Sequence, residues 1–212
     1  MLPAVFVLAL AASASPQAGE QPPVVAAIRL ARTDIVRLDG RLTEDVWRRA
    51  VPATGFRQLD PNNGAPATEV TEVRIAFDDR RLVLGIVCFD SDPAHLHRNQ
   101  MQRDQSLAAD DRFMLALDTY LNGRTGYYFE INPSGAMGDG LIVPGTGGGS
   151  ANNVNRSWDG IWDARVSRTA DGWSAEIEIP FLTLTFDPGA PAWGINFQRT
   201  VRRLNEESLW TA

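Results

Sequence analysis

The chain has 212 residues, 44% of them hydrophobic and 22% charged, with a formal net charge of −6. That acidic balance excludes the basic footprint by which a protein holds nucleic acid or an anionic lipid surface, so nucleic acid is not an expected partner. All 20 cationic residues are arginine, and the single cysteine excludes an internal disulfide.

Residues 1–14 read as a secretory signal peptide. An apolar run ends in Ala12-Ser13-Ala14, the small-residue pattern of a cleavage site. The run is shorter than the about 20 apolar residues that cross a bilayer. Residues 15–23 are Pro-rich and polar, a linker with nothing to pack. Residues 24–212 have the length of one domain. The expectation is an exported protein of the periplasm, the outer membrane or the medium.

Strand signals dominate this domain. Ile35 to Leu38 reads as a strand leading into an Asp39-Gly40 turn. Leu42 to Ala50 is the one clear short helix. Thr43 is placed to cap it, Glu44 and Asp45 suit the positive end of its dipole, and Arg48 and Arg49 the negative end. Glu72 to Phe77 alternates, with Val73, Ile75 and Phe77 on one face. Asp78 to Arg81 makes a polar turn, and Leu82 to Phe89 returns antiparallel. This second strand is apolar on both faces, which places it centrally in its sheet. Cys88 lies within it and reads as a buried, inert thiol.

Arg112 to Asp118 and Thr125 to Asn132 form a second pair, joined through Asn122-Gly123, the strongest hairpin signal of the chain. Gly145 to Asn153 is a glycine-rich loop without the lysine and helix of a phosphate cradle. Strands resume at Trp162 to Arg168, Trp173 to Ile179, Trp193 to Arg199 and Glu207 to Thr211. Many short strands and a single helix predict an all-β fold, a two-sheet antiparallel β-sandwich of immunoglobulin-like or jelly-roll type.

Five of the six tryptophans lie beyond residue 157. Because side chains alternate faces along a strand, parity separates core from surface. Trp173 shares a face with Ala175, Ile177 and Ile179, Trp193 with Ile195 and Phe197, and Trp162 with Ala164 and Val166, so all three point inward. Trp47 is expected as a plug over one end of the sandwich. Trp158, beside the glycine loop, and Trp210 remain as rings on which a sugar could stack.

Asp39-Gly-Arg-Leu-Thr-Glu-Asp-Val-Trp47 resembles the D-G-x-L-x-E-x-x-W opening of family 9-like carbohydrate-binding modules. The paired strands Thr71 to Phe89, closing in Asp90-Ser-Asp-Pro93, continue the resemblance, as do Asp110 to Asp118, Tyr128 to Gly135, Gly172 to Phe181 and Trp193 to Arg199. The branch most similar stands at the N-terminus of large bacterial exported proteins, ahead of a region resembling an outer-membrane β-barrel. A barrel in the same parent chain is therefore an expected partner, and this chain is expected to be an N-terminal piece of such a protein.

The resemblance implies a carbohydrate ligand, a role in carbohydrate catabolism and association with glycoside hydrolysis. It also implies a terminal sugar clamped between two tryptophans, with calcium in nearby loops. Asn132 matches a polar position of that site. The chain departs from it at Leu107-Ala-Ala109, where a clamp tryptophan is expected, at Met114 in place of a glutamate, and at Glu130 in place of an arginine. The ligand candidates are thus Trp158, Asn132, Glu130 and Trp210.

Calcium takes six to eight oxygen ligands, often from loops. Asp90, Asp92, Asp104, Asp110 and Asp111 are the carboxylates that could converge on a structural ion, and no other cofactor is expected. Glu176 and Glu178, about 7 Å apart by strand rise, fall in the spacing of an inverting glycosidase pair. A strand with one solvated face gives Glu-x-Glu routinely, so no catalytic constellation is assigned. His95 and His97 read as exposed loop residues, since a structural zinc site wants four ligands.

Overall fold

The alternation along Thr71–Phe77 and Arg81–Phe89 resolves into neighbouring antiparallel strands, β3 and β4, of a five-stranded sheet. The computed structural model describes residues 23–144 and 154–211. The expected signal peptide, most of the expected linker and the glycine-rich segment 145–153 lie outside these residues. The five-stranded sheet also contains β1 (Ile28–Arg29), β9 (Asp163–Thr169) and β10 (Gly172–Pro180), in the order β1-β3-β4-β10-β9. Pairing is antiparallel except for β1 on β3. As its apolar character on both faces implied, β4 is the central strand.

The second sheet has seven strands. They are β2 (Arg57–Asp60), β5 (Arg112–Asp118), β6 (Gly126–Ile131), β7 (Met137–Ile142), β8 (Val154–Asn155), β11 (Gly194–Val201) and β12 (Glu206–Leu209). Their order is β2-β12-β11-β5-β6-β7-β8. The Asn122-Gly123 hairpin joins β5 to β6 as expected, with Gly123 in the left-handed region at φ 65°. The antiparallel β-sandwich is the predicted fold class. β1, β2, β7 and β8 were not legible as strands, being short or rich in polar residues and glycine.

The inward faces of both sheets meet in one core containing Trp173, Phe113, Phe129, Phe197, Leu84 and Ile86. Burying each such side chain stabilises the fold by about 2 kcal/mol. Parity holds here: Trp162 and Trp173 are buried, and Trp193 is half-buried against Phe181 and Phe186. Trp162 is buried with its indole N–H satisfied, because Nε1 donates to Asp139 Oδ2 at 2.8 Å. Cys88 is fully buried, and burial pushes its thiol up to about 11.

Three expectations for the N-terminal part are corrected. Ile35 to Leu38 forms no strand. The helix, α1, is confined to Asp45–Arg49, with Glu44 rather than Thr43 at its N-cap and no capping side chain. Trp47 does not plug an end of the sandwich. It lies on the outer face of the five-stranded sheet, in a second cluster with Val46, Ala76 and Val83.

Glycine and glutamate make that seat. A Cβ at Gly85 would fall 2.9 Å from Trp47 Cε3, so only glycine leaves room for the ring. Glu176 is fully buried there, against the expectation of a solvated Glu-x-Glu face. Its carboxylate accepts hydrogen bonds from the Asp39 and Gly40 amides at 2.9 and 3.0 Å and from Trp47 Nε1 at 2.9 Å. Burial pushes its pKa up despite those donors. Glu178, half-buried, pairs with Arg81. The two glutamates have structural partners and flank no shared cleft.

Candidate ligand-binding face

The outer face of the seven-stranded sheet is built by the residues that alternate away from the core. On β5 these are Arg112 and Met114, on β6 Tyr128 and Glu130, and on β11 Gln198 and Thr200. Register places Met114 directly between Glu130 and Gln198. Alternation alone would have a strand present such polar residues to water. Here Glu130, Thr200, Met114 and Tyr128 are nevertheless buried, under a layer of longer polar side chains.

Glu130 is the centre of that layer. Oε2 accepts from Tyr128 Oη at 2.7 Å and from Arg112 Nη1 at 3.2 Å. Oε1 accepts from Arg156 Nη1 at 2.6 Å. A buried carboxylate is tolerable only when paired and hydrogen-bonded, and these three donors supply that. Burial, with the Glu130 charge and hydrogen bond, pushes the Tyr128 phenol above its usual range. Burial works against the Arg156 cation, but the bond and charge of Glu130 outweigh it and hold that guanidinium above its ordinary value. Arg156 also lies over the Tyr128 ring, its Cζ 5.2 Å from the centroid. On the other flank, Glu207 accepts from Gln198 Nε2 at 2.9 Å and faces Arg112 at 3.7 Å.

The structure brings some of the expected ligand residues together and separates others. Asn132 is fully buried just beyond Glu130 and works as a loop fastener. Its amide donates to Gln100 O at 2.8 Å and Asp110 Oδ2 at 2.7 Å, while Oδ1 accepts from Ala136 N at 2.8 Å. Trp158 and Trp210 stand on the other side of this sheet. The Trp158 ring is half-buried against Tyr127, 5.2 Å away, and Phe129. Trp210 is buried with its ring 5.4 Å from Phe197. Neither is within the Glu130 group.

The expected metal carboxylates are similarly committed elsewhere. Asp110 accepts from the Asn99 and Gln100 amides at 2.9 and 2.8 Å. Asp111 accepts from the His97 and Arg202 amides at 2.8 and 2.6 Å. Asp90 pairs with Arg203 at 2.8 Å, and Asp92 with His95 at 2.8 Å. Asp104 lies beside Arg103 at 3.5 Å. Among the described residues no three His, Cys, Asp or Glu side chains form a group that could hold a metal ion. The Asp110 and Asp111 oxygens, so occupied by N–H donors, do not fit a calcium shell of six or more. His95 and His97 are exposed, as expected.

Arg112, Tyr128, Arg156, Gln198 and Glu207 were missed as site residues. Parity along β5, β6 and β11 could have found all but Arg156 and Glu207. Arg156 reaches Glu130 from beyond the glycine-rich segment 145–153, and no local pattern announces such a partner.

The architecture is a two-sheet antiparallel β-sandwich with a long polar outer face. Its fold is similar to that of family 9 carbohydrate-binding modules. It is similar to two solved family 9 modules from Caldicellulosiruptor kristjanssonii, one in complex with cellotriose and one with glucose. The first has 11% identity and a TM-score of 0.56, over 86% of this chain and 81% of that one. The second has 13% identity and a TM-score of 0.56, over 87% and 84%. A proposed carbohydrate-binding protein from Bacteroides uniformis is similar at 14% identity and a TM-score of 0.51, over 74% and 77%. No protein-family model and no curated protein sequence matches the chain.

Proposed function

We propose that this domain is a non-catalytic carbohydrate-binding module that holds its ligand on the outer face of the seven-stranded sheet, around Glu130. The observation that carries this reading is the Glu130 carboxylate itself. It is buried in an outward-facing position, hydrogen-bonded by two arginines and set beside the Tyr128 ring. A sugar is recognised by that pairing of chemistries, an aromatic face for its C–H surface and fixed polar groups for its hydroxyls. The resemblance of the fold to modules solved with cellotriose and glucose supports it. The leader-like N-terminus supports export, and with it service to a parent protein that acts in carbohydrate catabolism, alone or beside a glycoside hydrolase.

Affinity electrophoresis of the purified domain through gels cast with cellulose derivatives, xylan or other polysaccharides tests this. Retention on at least one, reduced by Glu130→Gln, is the expected result. Free migration through every gel, with and without added calcium, would sink the proposal.

One observation favours a second reading, an interaction domain packed on a barrel of the same parent chain. Trp158 and Trp210 are both turned onto core residues, leaving neither ring free for stacking. In that case trypsin would cleave after Arg156 in the isolated domain and not in the full parent chain.

A further inference from the structure

The three donors on Glu130 are not equivalent. Arg112 and Tyr128 belong to strands inside the sheet and share one oxygen, Oε2. Arg156 alone holds Oε1, and it arrives from outside. It comes directly after β8, a two-residue strand at the edge of the sheet, paired to β7 only through Leu141 with Asn155 and Ile142 with Val154. The Arg112 side chain is 12% exposed and the Glu130 side chain 0%, but that of Arg156 is 40% exposed. The same guanidinium covers the Tyr128 ring. One side chain thus occupies both the aromatic face and the one Glu130 oxygen not held by the sheet's own strands.

The backbone beneath it is shaped for that approach. A Cβ at Gly140 would lie 2.6 Å from Val154 Cγ1 and 2.9 Å from Asn155 O. A Cβ at Gly138 would lie 3.0 Å from Glu130 Oε1 and 3.6 Å from Arg156 Nη1. Any other residue at Gly140 would push the edge strand and its arginine outward, while a side chain at Gly138 would press on the Glu130 carboxylate.

We propose that Arg156 is a resident competitor of the ligand, and that its displacement opens a sugar subsite made of the Tyr128 face and Glu130 Oε1. The proposal rests on the carbohydrate-binding reading of this face. A planar guanidinium stacked on an aromatic ring and donating to a carboxylate makes the same two contacts as a pyranose. The sugar would lay its C–H face on Tyr128 and donate a hydroxyl to Oε1. Both cannot be present at once. Arg112 and Tyr128 still hold Oε2 when Arg156 leaves, so the carboxylate stays oriented. Binding is weakened by the fraction of molecules in which Arg156 is seated, and removing that side chain restores the affinity.

The test compares the wild type with Arg156→Ala and Arg156→Lys, using cellotriose as the probe. Hydroxyl-radical footprinting reads the exposure of Tyr128 by mass spectrometry, and half-exposed Tyr120 serves as internal standard. Titration calorimetry reads the affinity. Several-fold greater oxidation of Tyr128 is expected in Arg156→Ala, together with cellotriose affinity higher by roughly tenfold and protection of Tyr128 by the sugar. Arg156→Lys, which keeps the charge but not the planar stack, should fall between. Unchanged Tyr128 oxidation in a folded Arg156→Ala overturns the proposal, as does weaker sugar binding, which would make Arg156 a ligand contact. Exposure of Tyr128 without any cellotriose binding would support Arg156 as the cover and count against the carbohydrate reading.

Discussion

The guanidinium carbon of Arg199 lies 5.3 Å from the centre of the Trp173 ring, inside the sandwich and sealed from solvent. Its nearest carboxylate oxygen is Asp90 Oδ2 at 3.9 Å. Among the described residues none of its side-chain nitrogens has a hydrogen-bond partner. A cation so placed gains from the ring and from Asp90 but carries a heavy desolvation cost. Asp90 keeps Arg203 on its other carboxylate oxygen when Arg199 is removed. Arg199→Met, which fills the volume without the charge, should stay within about 1 kcal/mol of the parent or exceed it. Arg199→Ala, which leaves a void beside Trp173, should lose about 3 kcal/mol. Urea unfolding measures both. A methionine variant as unstable as the alanine one would show that the charge itself holds the sheets together.

Glu176 fastens the N-terminal segment to the outside of the five-stranded sheet through three N–H donors shared between its two oxygens. Glu176→Gln must turn an amide N–H₂ toward at least one of those donors. The expected loss is about 1–3 kcal/mol, the cost of a buried group left unmatched. Hydrogen exchange should quicken at the Gly40 amide and the Trp47 indole while the inter-sheet core keeps its protection. Equal quickening in both places would mean that the segment and the sandwich unfold together.

Stability should rise as pH falls from neutrality into the mildly acidic range. Asp111, Asp139 and Glu176 all have pKa values raised first of all by burial. A carboxyl whose folded pKa exceeds its unfolded one binds its proton first in the folded state. Each such group therefore adds stability as pH falls through its folded value, and the gain is complete at its unfolded one. Asp34 and Asp78 act oppositely. Asp34 is held down by the Ala31 amide and Arg49. Burial of Asp78 is outweighed by the Arg80 amide and Arg81. Their contributions persist above the ordinary aspartate value and are lost below it as pH falls through their folded values. A melting temperature that peaks on the acidic side of neutrality is expected. A monotonic fall from neutrality would contradict the assignment of buried anions.

Gly140→Ala should displace β8 without touching Glu130 or Arg156. The new methyl would sit 2.6 Å from Val154 Cγ1 and 2.9 Å from a backbone oxygen, closer than either can tolerate. The expected cost is about 1–2 kcal/mol, as for overpacking elsewhere. The edge strand should move away and carry Arg156 off Tyr128. Footprinting of Tyr128 in this variant should match Arg156→Ala. Protection equal to that of the wild type would show that Arg156 stays seated without its strand.

Much of the fold was legible because it is local. The two hairpins, β3 with β4 and β5 with β6, arise from alternation closed by polar or Asn-Gly turns. The inward tryptophans obey parity, since a side chain two residues along must return to the same face. The candidate site was legible only in part. Glu130 and Asn132 were singled out, but as isolated positions and without their partners. Their partners come from positions as distant in sequence as Arg112 and Arg156 on one side and Gln100 and Asp110 on the other.

The sequence by itself determined the class of fold, the pairing of neighbouring strands and which side of each strand a residue takes. It did so because these depend on a period of two and on turns of a few residues. Only the tertiary structure decided which outer faces are covered. Glu176 and Glu130 carry the same surface-like pattern of alternation, yet both are buried, one beneath Trp47 and the other beneath Arg156. Periodicity states the side of a sheet on which a residue stands. Packing between distant segments, favoured wherever buried surface and matched hydrogen bonds outweigh the entropy of ordering them, decides whether that side meets water.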